Sequence, residues 1–340
     1  MTTRDRVRGA IYGHLVGDAL GVPYEFTHDI ETVEWRGNGT HNQPAGTWSD
    51  DGALMLALLD SLLDAGFDTA DQARRFLDWR DHRKYTPDRD GRFDIGGATS
   101  QALARVADGV PAEEAGDDPD ALGNGSLMRI LPIALVDPSA STAELVDRAH
   151  RSSRITHGAP ACLVACALYV LITRELLAGG QDRSSALARS SELLRAEYQG
   201  QSELVTALDN LLAWPTREGR GHVSDSFWSA WDAFEASDGY RSAVVRAVQY
   251  GNDTDTTAAI AGGLAGTYWG LDSIPGPWLN GLRGKEVVDR LLDRLVRRLD
   301  PNREPRLPAM DPDFTFSMSD LDAMEDHAEW HRIRRPRRSG

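Results

Sequence analysis

The chain has 340 residues, 41% of them hydrophobic, and a formal net charge of −15 at pH 7. This length and composition permit a large buried core, and the negative charge excludes non-specific binding to nucleic acid and to anionic membrane surfaces. The first residues are unlike a signal peptide, and we expect no uninterrupted apolar stretch long enough to span a bilayer. We therefore predict a cytoplasmic protein without a membrane partner.

The first predicted helix covers residues 4–20, where apolar residues recur at helical spacing. Gly13 and Gly17 lie within it and permit close packing against a neighbour. The helix ends in a Gly-Val-Pro turn, and Glu25 follows between two aromatic residues. Residues 27–47 have little periodicity and are predicted to form a long surface loop, and loops of that length are usually functional.

Helical periodicity continues through most of the remaining chain. One helix is predicted from residue 53 to near 66 and another over 69–82, before a glycine-rich loop at 84–97. Further helices are predicted at 98–108, 126–136, 141–152, 158–178, 183–198, 201–213, 224–236, 240–249, 254–269 and 284–299. Because no run of alternating β-branched residues occurs, we predict an all-α fold, with one large bundle-like domain over residues 1–300.

The composition changes after residue 300. Four prolines between residues 301 and 312 indicate a linker, residues 318–333 have the pattern of an acidic helix, and the last residues are mostly basic. We therefore predict that residues 301–340 form a proline-rich, charged tail outside the domain. A basic end of this kind is more often a solvated tail than a binding site for an acidic partner.

Two acidic clusters stand far apart in the chain, each directly before an apolar helical run. The first is Trp-Ser-Asp-Asp-Gly at residues 48–52, and the second is Gly-Asn-Asp-Thr-Asp-Thr-Thr at residues 251–257. One cluster alone is explained equally well by helix capping, since Asp, Asn and Thr accept hydrogen bonds from the first free N–H groups. Two clusters, each with a hydroxyl beside two carboxylates, favour a two-ion site. The candidate ligands are Ser49, Asp50, Asp51, Asp253, Asp255 and Thr256.

The ligand chemistry of these clusters predicts two divalent cations, Mg²⁺ or Mn²⁺. All six candidate donors are oxygen atoms, and no cysteine or histidine adjoins either cluster, which argues against Zn²⁺. The second cluster also lacks the glycine and distal glutamate of an EF-hand loop. Paired ions typically lie about 3.5–4 Å apart, where they activate a water molecule and orient sugar or phosphate oxygens.

Three further features carry candidate site residues, each with an ordinary structural alternative. Glu25 is either a carboxylate for acid–base catalysis or a glutamate on the surface of a turn. The loop at residues 123–129 is either a cradle for anionic oxygens at the start of a helix or an ordinary turn with a capping residue. His157 precedes a long apolar helix, where a histidine contacts a ligand or, more often, makes a structural hydrogen bond.

Taken together and in order, five segments of the chain resemble the ADP-ribosylglycohydrolase family. They are residues 17–26, 48–51, 123–129, 156–158 and 251–256. The family includes dinitrogenase reductase-activating glycohydrolase, the ADP-ribosyl-acceptor hydrolases and the J1 crystallins. The resemblance covers roughly residues 5–300 and does not include the tail.

The resemblance implies a fold and a set of site residues. The fold would be a single all-α orthogonal helical bundle with a central dinuclear metal cleft, ligated from one side by the first acidic cluster and from the other by the second. Glu25 would be the flexible glutamate near the ions. The residues along the substrate would be Asp94, Gly123, Asn124, Gly125, Ser126 and His157. Ser49 stands where the family often has threonine and keeps the hydroxyl, so its ligation is retained. Gly52 stands where the family has threonine or serine and removes a possible oxygen near the ions, so the metal affinity or preference stays open.

The resemblance also implies an activity, the metal-dependent hydrolysis of the C1″ glycosidic bond of ADP-ribosylated acceptors. Glu25 and Asp253 are the candidates for the acid or base. One alternative is a non-catalytic ADP-ribose-binding or crystallin-like structural member of the same fold. Another is a two-metal phosphohydrolase, which would be expected to show ligand clusters containing histidine. The acceptor, whether protein, nucleic acid or small molecule, is not readable from the sequence, and we expect a monomer.

Overall fold

The computed structural model describes residues 1–87, 92–179 and 182–299. These residues form α-helices and two short 3₁₀ helices and contain no strand, which confirms the predicted all-α fold. The α-helices are α1 (Thr3–Gly21), α2 (Asp50–Asp64), α3 (Thr69–His82), α4 (Gly97–Ala107), α5 (Ala112–Ala115), α6 (Pro132–Val136), α7 (Thr142–Arg154), α8 (Pro160–Ala178), α9 (Arg183–Glu197), α10 (Ser202–Leu212), α11 (Val223–Glu235), α12 (Tyr240–Gln249), α13 (Thr254–Trp269), α14 (Gly276–Gly281) and α15 (Lys285–Leu299). The predicted tail and its acidic helix lie outside the described residues, as do residues 88–91 of the predicted loop at 84–97.

Helices α1 and α13 are packed backbone against backbone. Glycines recur on α1 at every fourth position, at Gly9, Gly13, Gly17 and Gly21. An ideal Cβ atom on Gly9 would lie 2.2 Å from the carbonyl oxygen of Gly266, and one on Gly17 would lie 2.1 Å from that of Ala258. The order of these contacts makes the two helices antiparallel. At the far end, a Cβ atom on Gly21 would lie 2.4 Å from the Cα atom of Asp255, so the end of α1 meets the start of α13.

We predict that Gly17→Ala destabilises the domain. The added methyl group meets a main-chain carbonyl, which cannot rotate away, and overpacking of this kind costs about 1–3 kcal/mol. Chemical denaturation should show a lower free energy of unfolding. The control is Gly276→Ala, where no heavy atom lies within 4 Å of the added carbon. Equal stability of the two variants would show that the helices separate at little cost.

An ion-pair network fixes the C-terminal half of α2. Arg75 on α3 pairs with Asp60, with Asp64 at 2.7 Å and with Asp71 at 2.7 Å. Arg294 on α15 donates to Asp60 at 2.7 Å. Helices α3 and α15 therefore hold this end of α2, and the acidic N-terminal turn at its other end is buried.

The helix predicted over residues 126–136 is only partly correct. Residues 126–131 form turns, and α6 begins at Pro132. Proline has no N–H group to donate and its ring clashes with the preceding turn, so it suits the first turn of a helix and not the interior. The apolar periodicity of residues 126–131 instead reflects a buried irregular segment.

The expectation that no apolar stretch could span a bilayer is wrong for α8. This helix is long and apolar enough by length and composition, but 83% of the stretch is buried within the protein. Such burial is typical of the central helix of a compact core. Cys162 and Cys166 lie on this helix, buried and unbridged.

Candidate active site

Asp18, on α1, organises the first acidic cluster. Its side chain is fully buried, and its carboxylate accepts hydrogen bonds from the backbone N–H groups of Ser49 at 2.9 Å and Gly52 at 2.8 Å. Ser49 is the N-cap of α2, and its hydroxyl accepts from the N–H of Asp51 at 3.2 Å. Burial raises the pKa of Asp18 to about 7. Asp18 was not predicted as a site residue, although a lone acid within an apolar helical run was the available signal.

The structure brings the two acidic clusters together. Both the hydroxyl of Ser49, at 3.1 Å, and that of Thr256, at 3.3 Å, donate to Oδ2 of Asp51. Asp253, just before α13, accepts a hydrogen bond from the side-chain amide of Asn124 at 2.7 Å. The N-terminal ends of α2 and α13 therefore meet. The hydroxyl and carboxylate oxygens of both clusters lie together at this junction.

These residues fit divalent cations. Within the described residues, Oδ1 of Asp51 and Oδ2 of Asp255 are buried without a hydrogen-bond partner. Burial first, and then neighbouring carboxylates, raise the pKa values of Asp50, Asp51 and Asp255 well above their ordinary range. An isolated buried carboxylate is costly, and a bound cation removes that cost. The donors are all hard oxygens, as Mg²⁺ and Mn²⁺ require.

Glu25 lies beside the second cluster and is not on the surface. It is 4% exposed, which excludes the alternative of a turn-surface glutamate. Its carboxylate contacts the imidazole of His41, whose Nε2 atom also lies 3.8 Å from Oδ2 of Asp94. Glu25, His41, Asp94 and Asp255 each offer a ligand atom, and these four atoms lie within 4.8 Å of one another. Burial raises the pKa of Glu25 to about 7.

His41 was missed by the sequence analysis. It lies in the loop at residues 27–47, where no periodic pattern indicates which side chains turn inward. A histidine among polar loop residues is the only signal that the sequence contains, and it is a weak one. Contact with Glu25 raises the pKa of His41 above its ordinary value.

The glycine loop lies against His157. An ideal Cβ atom on Gly125 would lie 2.8 Å from Cε1 of His157 and 2.9 Å from the hydroxyl of Thr99. His157 is 2% exposed, and burial lowers its pKa to about 3, so the ring is neutral. Nδ1 of this ring is hydrogen-bonded to the hydroxyl of Thr156 at 2.8 Å. Glycine at position 125 therefore gives His157 and Thr99 room beside the loop.

A cavity of about 220 Å³ joins these groups. Its lining residues are Glu25, Asp50, Asp94, Gly96, Gly97, Ala98, Thr99, Gly123, Asn124, Gly125, Met128, His157, Gly221, Asp253 and Thr256. Ser49, Asp51 and Asp255 are not among them. Asp51 contacts the lining residue Thr256, Asp255 lies beside Glu25, and Ser49 contacts Asp51. Thr99 is a lining residue that the sequence analysis did not identify.

Ser126 stands apart from the other predicted substrate residues. Its side chain is fully buried, and its hydroxyl accepts a hydrogen bond from that of Ser153 at 2.8 Å. It is not among the residues that line the cavity. Arg129, also fully buried, donates to the carbonyl of Gly125 and supports the loop from within. The hydroxyl of Ser126 therefore belongs to the support of the loop in this structure.

A comparison with known protein families decides the classification. A family model described as ADP-ribosylglycohydrolase matches residues 1–305. The chain belongs to the ADP-ribosylglycohydrolase family. The resemblance found in the sequence is confirmed, and the chain is a hydrolase of that family.

Individual relatives of this ADP-ribosylglycohydrolase match nearly the same part of the chain. ADP-ribosylarginine hydrolase Tri1 of Pseudomonas putida is 30% identical, over 86% of this chain and 78% of its own length. ADP-ribosyl-[dinitrogen reductase] glycohydrolase of Rhodospirillum rubrum is 28% identical, over 87% and 95% respectively. A solved structure titled ADP-ribosylglycohydrolase-related protein complex has a TM-score of 0.73 and 34% identity, covering 87% of this chain and 98% of its own.

Proposed function

We propose that this protein removes ADP-ribose from ADP-ribosylated acceptors and requires two divalent cations, Mg²⁺ or Mn²⁺, between α2 and α13. The observation that carries the metal requirement is the pair of buried, unpartnered carboxylate oxygens on Asp51 and Asp255. The residues proposed to hold the cations are Ser49, Asp50, Asp51, Asp253, Asp255 and Thr256. Cations bound there would supply positive charge that orients the ribose hydroxyls and makes a nearby water more acidic.

The chain's own residues then divide the remaining work. Glu25 is the proposed proton carrier, since it lines the cavity and a pKa of about 7 suits transfer near neutral pH. Asp253 has one oxygen engaged by Asn124, which supports a role as an oriented ligand. The carboxylates around the cavity favour the positive charge that develops at the anomeric carbon during glycosidic cleavage. This assignment gives Glu25 the role that the sequence left open between Glu25 and Asp253.

The proposed substrate is larger than the cavity. A volume of about 220 Å³ is below the range of about 300–1,000 Å³ that is usual for ligand pockets. A second hollow of about 500 Å³ includes Leu122, Trp214 and His222 in its lining. His222 is paired with Gly123 of the first cavity, and its ring stacks on Trp214 at 4.5 Å between centroids. We propose that the terminal ribose occupies the acidic cavity and that the nucleotide portion extends toward this hollow.

For the acceptor we propose arginine. Two relatives, from Pseudomonas putida and Serratia proteamaculans, are named as ADP-ribosylarginine hydrolases. The charge of the cavity is also suitable, because Glu25 and Asp94 line it together with Asp50 and Asp253. A guanidinium group that leaves from such a site is attracted by carboxylates and forms strong hydrogen bonds with them.

The experiment is a release assay followed by mass spectrometry. The purified protein is incubated with peptides ADP-ribosylated on arginine or on serine, with Mg²⁺, with Mn²⁺ or with a chelator. Release of ADP-ribose from the arginine-linked peptide, and its loss with chelator, are expected. Release that persists in chelator would overturn the metal requirement. Release only from the serine-linked peptide would overturn the acceptor, and release from neither peptide would overturn the activity on protein acceptors.

We predict that Gly125→Val weakens ADP-ribose binding. The new side chain meets His157 and Thr99, so the loop or the His157 ring must move into the cavity. We expect the displaced group to occupy part of the cavity and to lower the affinity for ADP-ribose on the order of tenfold or more, where each tenfold is about 1.4 kcal/mol of binding free energy. Calorimetry with ADP-ribose measures the affinity, and metal analysis should show unchanged ions.

The control for this prediction is Gly239→Val. Gly239 has an extended backbone that any residue adopts, and no heavy atom lies within 4 Å of an added Cβ atom. Affinity equal to that of the parent protein is expected for Gly239→Val. If Gly125→Val also binds ADP-ribose with the affinity of the parent protein, the loop at residues 123–129 would be an ordinary turn and not a binding loop.

A further inference from the structure

The loop that carries His41 is folded against the segment that carries Glu25. Asn38 and Gln43 form an antiparallel bridge, and Gly39 adopts φ +71° in the turn between them. An ideal Cβ atom on Gly39 would lie 2.0 Å from the carbonyl oxygen of Pro23, so glycine allows the two main chains to touch. This contact places the next two residues of the loop beside Glu25.

The main chain of Glu25 is held from two directions. The hydroxyl of Thr40 donates to the carbonyl oxygen of Glu25 at 2.5 Å. On the other side, Phe26 donates to the carbonyl oxygen of Asn252 at 2.6 Å, and Asn252 donates in return to Thr27 at 3.1 Å. These bonds fix the Cα atom of Glu25. They leave the side-chain torsions of Glu25 undetermined, and those torsions decide where the carboxylate points.

His41 determines the direction of the carboxylate. Across the described residues, His41 is the one recorded hydrogen-bond partner of the Glu25 carboxylate. The imidazole is 16% exposed and contacts two tilted aromatic rings, Phe93 at 5.1 Å and Phe26 at 6.3 Å between centroids. These neighbours and its partial burial restrict the rotation of the imidazole, so it is not a mobile surface group.

We propose that His41 is a positioning residue, which holds the Glu25 carboxylate toward Asp255 and Asp94 through Nε2. The proposal rests on the proposed function, in which Glu25 carries the proton. His41 does not line the cavity and acts only through Glu25. A hydrogen bond to a charged group is strong enough to keep one side-chain conformation dominant. Without it, Glu25 would spend only part of the time in the productive orientation.

The first test compares His41→Ala and His41→Gln, since the glutamine amide can replace the Nε2–H donor. We expect His41→Ala to lower kcat on the order of tenfold or more. KM, ADP-ribose affinity and ion content should remain unchanged, and His41→Gln should restore most of the turnover. The control is His28→Ala, an exposed histidine of the same loop, with no change expected. Loss of an ion in His41→Ala would overturn the proposal and make His41 a metal ligand.

The second test is a double-mutant cycle with Glu25→Gln. If His41 acts through Glu25, His41→Ala should have little further effect on kcat when Glu25 is already glutamine. An equal loss in both backgrounds would overturn the proposal, because His41 would then act independently.

A third test needs no turnover. In protein labelled with ¹⁵N-histidine, the Nε2–H signal of His41 should be that of a hydrogen-bonded group, and Glu25→Gln should shift it. A His41 signal that does not respond to Glu25→Gln would overturn the proposal, whatever the release assay shows. Conversely, absence of ADP-ribose release with a responsive signal would overturn the proposed function and leave the contact established.

Discussion

Replacing Asp255 with alanine is expected to remove at least one of the two proposed cations and to lower turnover on the order of a hundredfold or more. Asp255 is fully buried at the start of α13, and one of its carboxylate oxygens has no hydrogen-bond partner within the described residues. Its pKa is raised by burial and then by Glu25, so the charged carboxylate is costly here unless a cation lies beside it. Metal analysis of the purified variant measures ions per chain. Two ions per chain in Asp255→Ala would contradict the assignment.

Although Asp255→Ala should lower turnover, the same substitution should raise the thermal stability of the metal-free protein. In chelator, the parent protein keeps one buried carboxylate oxygen of Asp255 without a partner, while the other accepts a hydrogen bond from the N–H of Thr256 at 2.9 Å. Because Asp255→Ala removes the unpartnered oxygen, the variant should melt at a higher temperature than the parent. Addition of Mn²⁺ should stabilise the parent strongly and the variant weakly, since a ligand that binds only the native state stabilises it by mass action. Asp272→Ala is the control, because Asp272 is exposed just beyond α13. A variant that melts below the parent in chelator would show that the contacts of Asp255, such as its hydrogen bond from the N–H of Thr256, outweigh the cost of its unpartnered oxygen.

Replacing Glu25 with glutamine is expected to lower turnover at least a hundredfold, because a positioned acid or base contributes about 10²–10⁴-fold. Burial raises the pKa of Glu25 to about 7, whereas nearby cations would lower it, and either state leaves a group that can exchange a proton. Glutamine keeps the size and polarity but cannot carry the proton. Ion content and ADP-ribose affinity should change far less than turnover, since none of the six proposed metal ligands is altered.

The control for Glu25→Gln is Glu34→Gln, which removes an exposed carboxylate from the loop at residues 27–47. Its turnover should equal that of the parent. Near-normal turnover of Glu25→Gln would show that Glu25 is not the proton carrier, and the role would then be assigned to Asp253 or Asp94. Loss of an ion in Glu25→Gln would make Glu25 a structural ligand. This outcome must be tested, because the ligand atoms of Glu25, His41, Asp94 and Asp255 lie within 4.8 Å of one another.

Local pattern was enough to determine the all-α architecture and the two acidic helix starts. The helical period is a property of neighbouring residues, so α8 and α13 were predictable to within about two residues. The pattern of a hydroxyl residue next to acidic residues before an apolar run also depends only on neighbouring residues. This pattern identified Ser49 and Thr256 together with the carboxylates beside them. Those residues belong to two of the five segments on which the family resemblance rested, together with residues 17–26, 123–129 and 156–158.

Only the tertiary structure decided which of these residues meet and what supports them. Asp18 binds the backbone of Ser49 across 31 positions, and the hydroxyl of Thr256 reaches Asp51 across 205. Contacts between residues so far apart in the sequence depend on how α1 and α13 pack, and the spacing of apolar residues within one helix does not predict them. His41 lies in a loop without a repeat, so only the folding of that loop against Pro23 turned it toward Glu25. Ser126 shares its loop with Gly125 but lies within the core, because each side chain's direction there follows from an irregular backbone and not from a helical repeat.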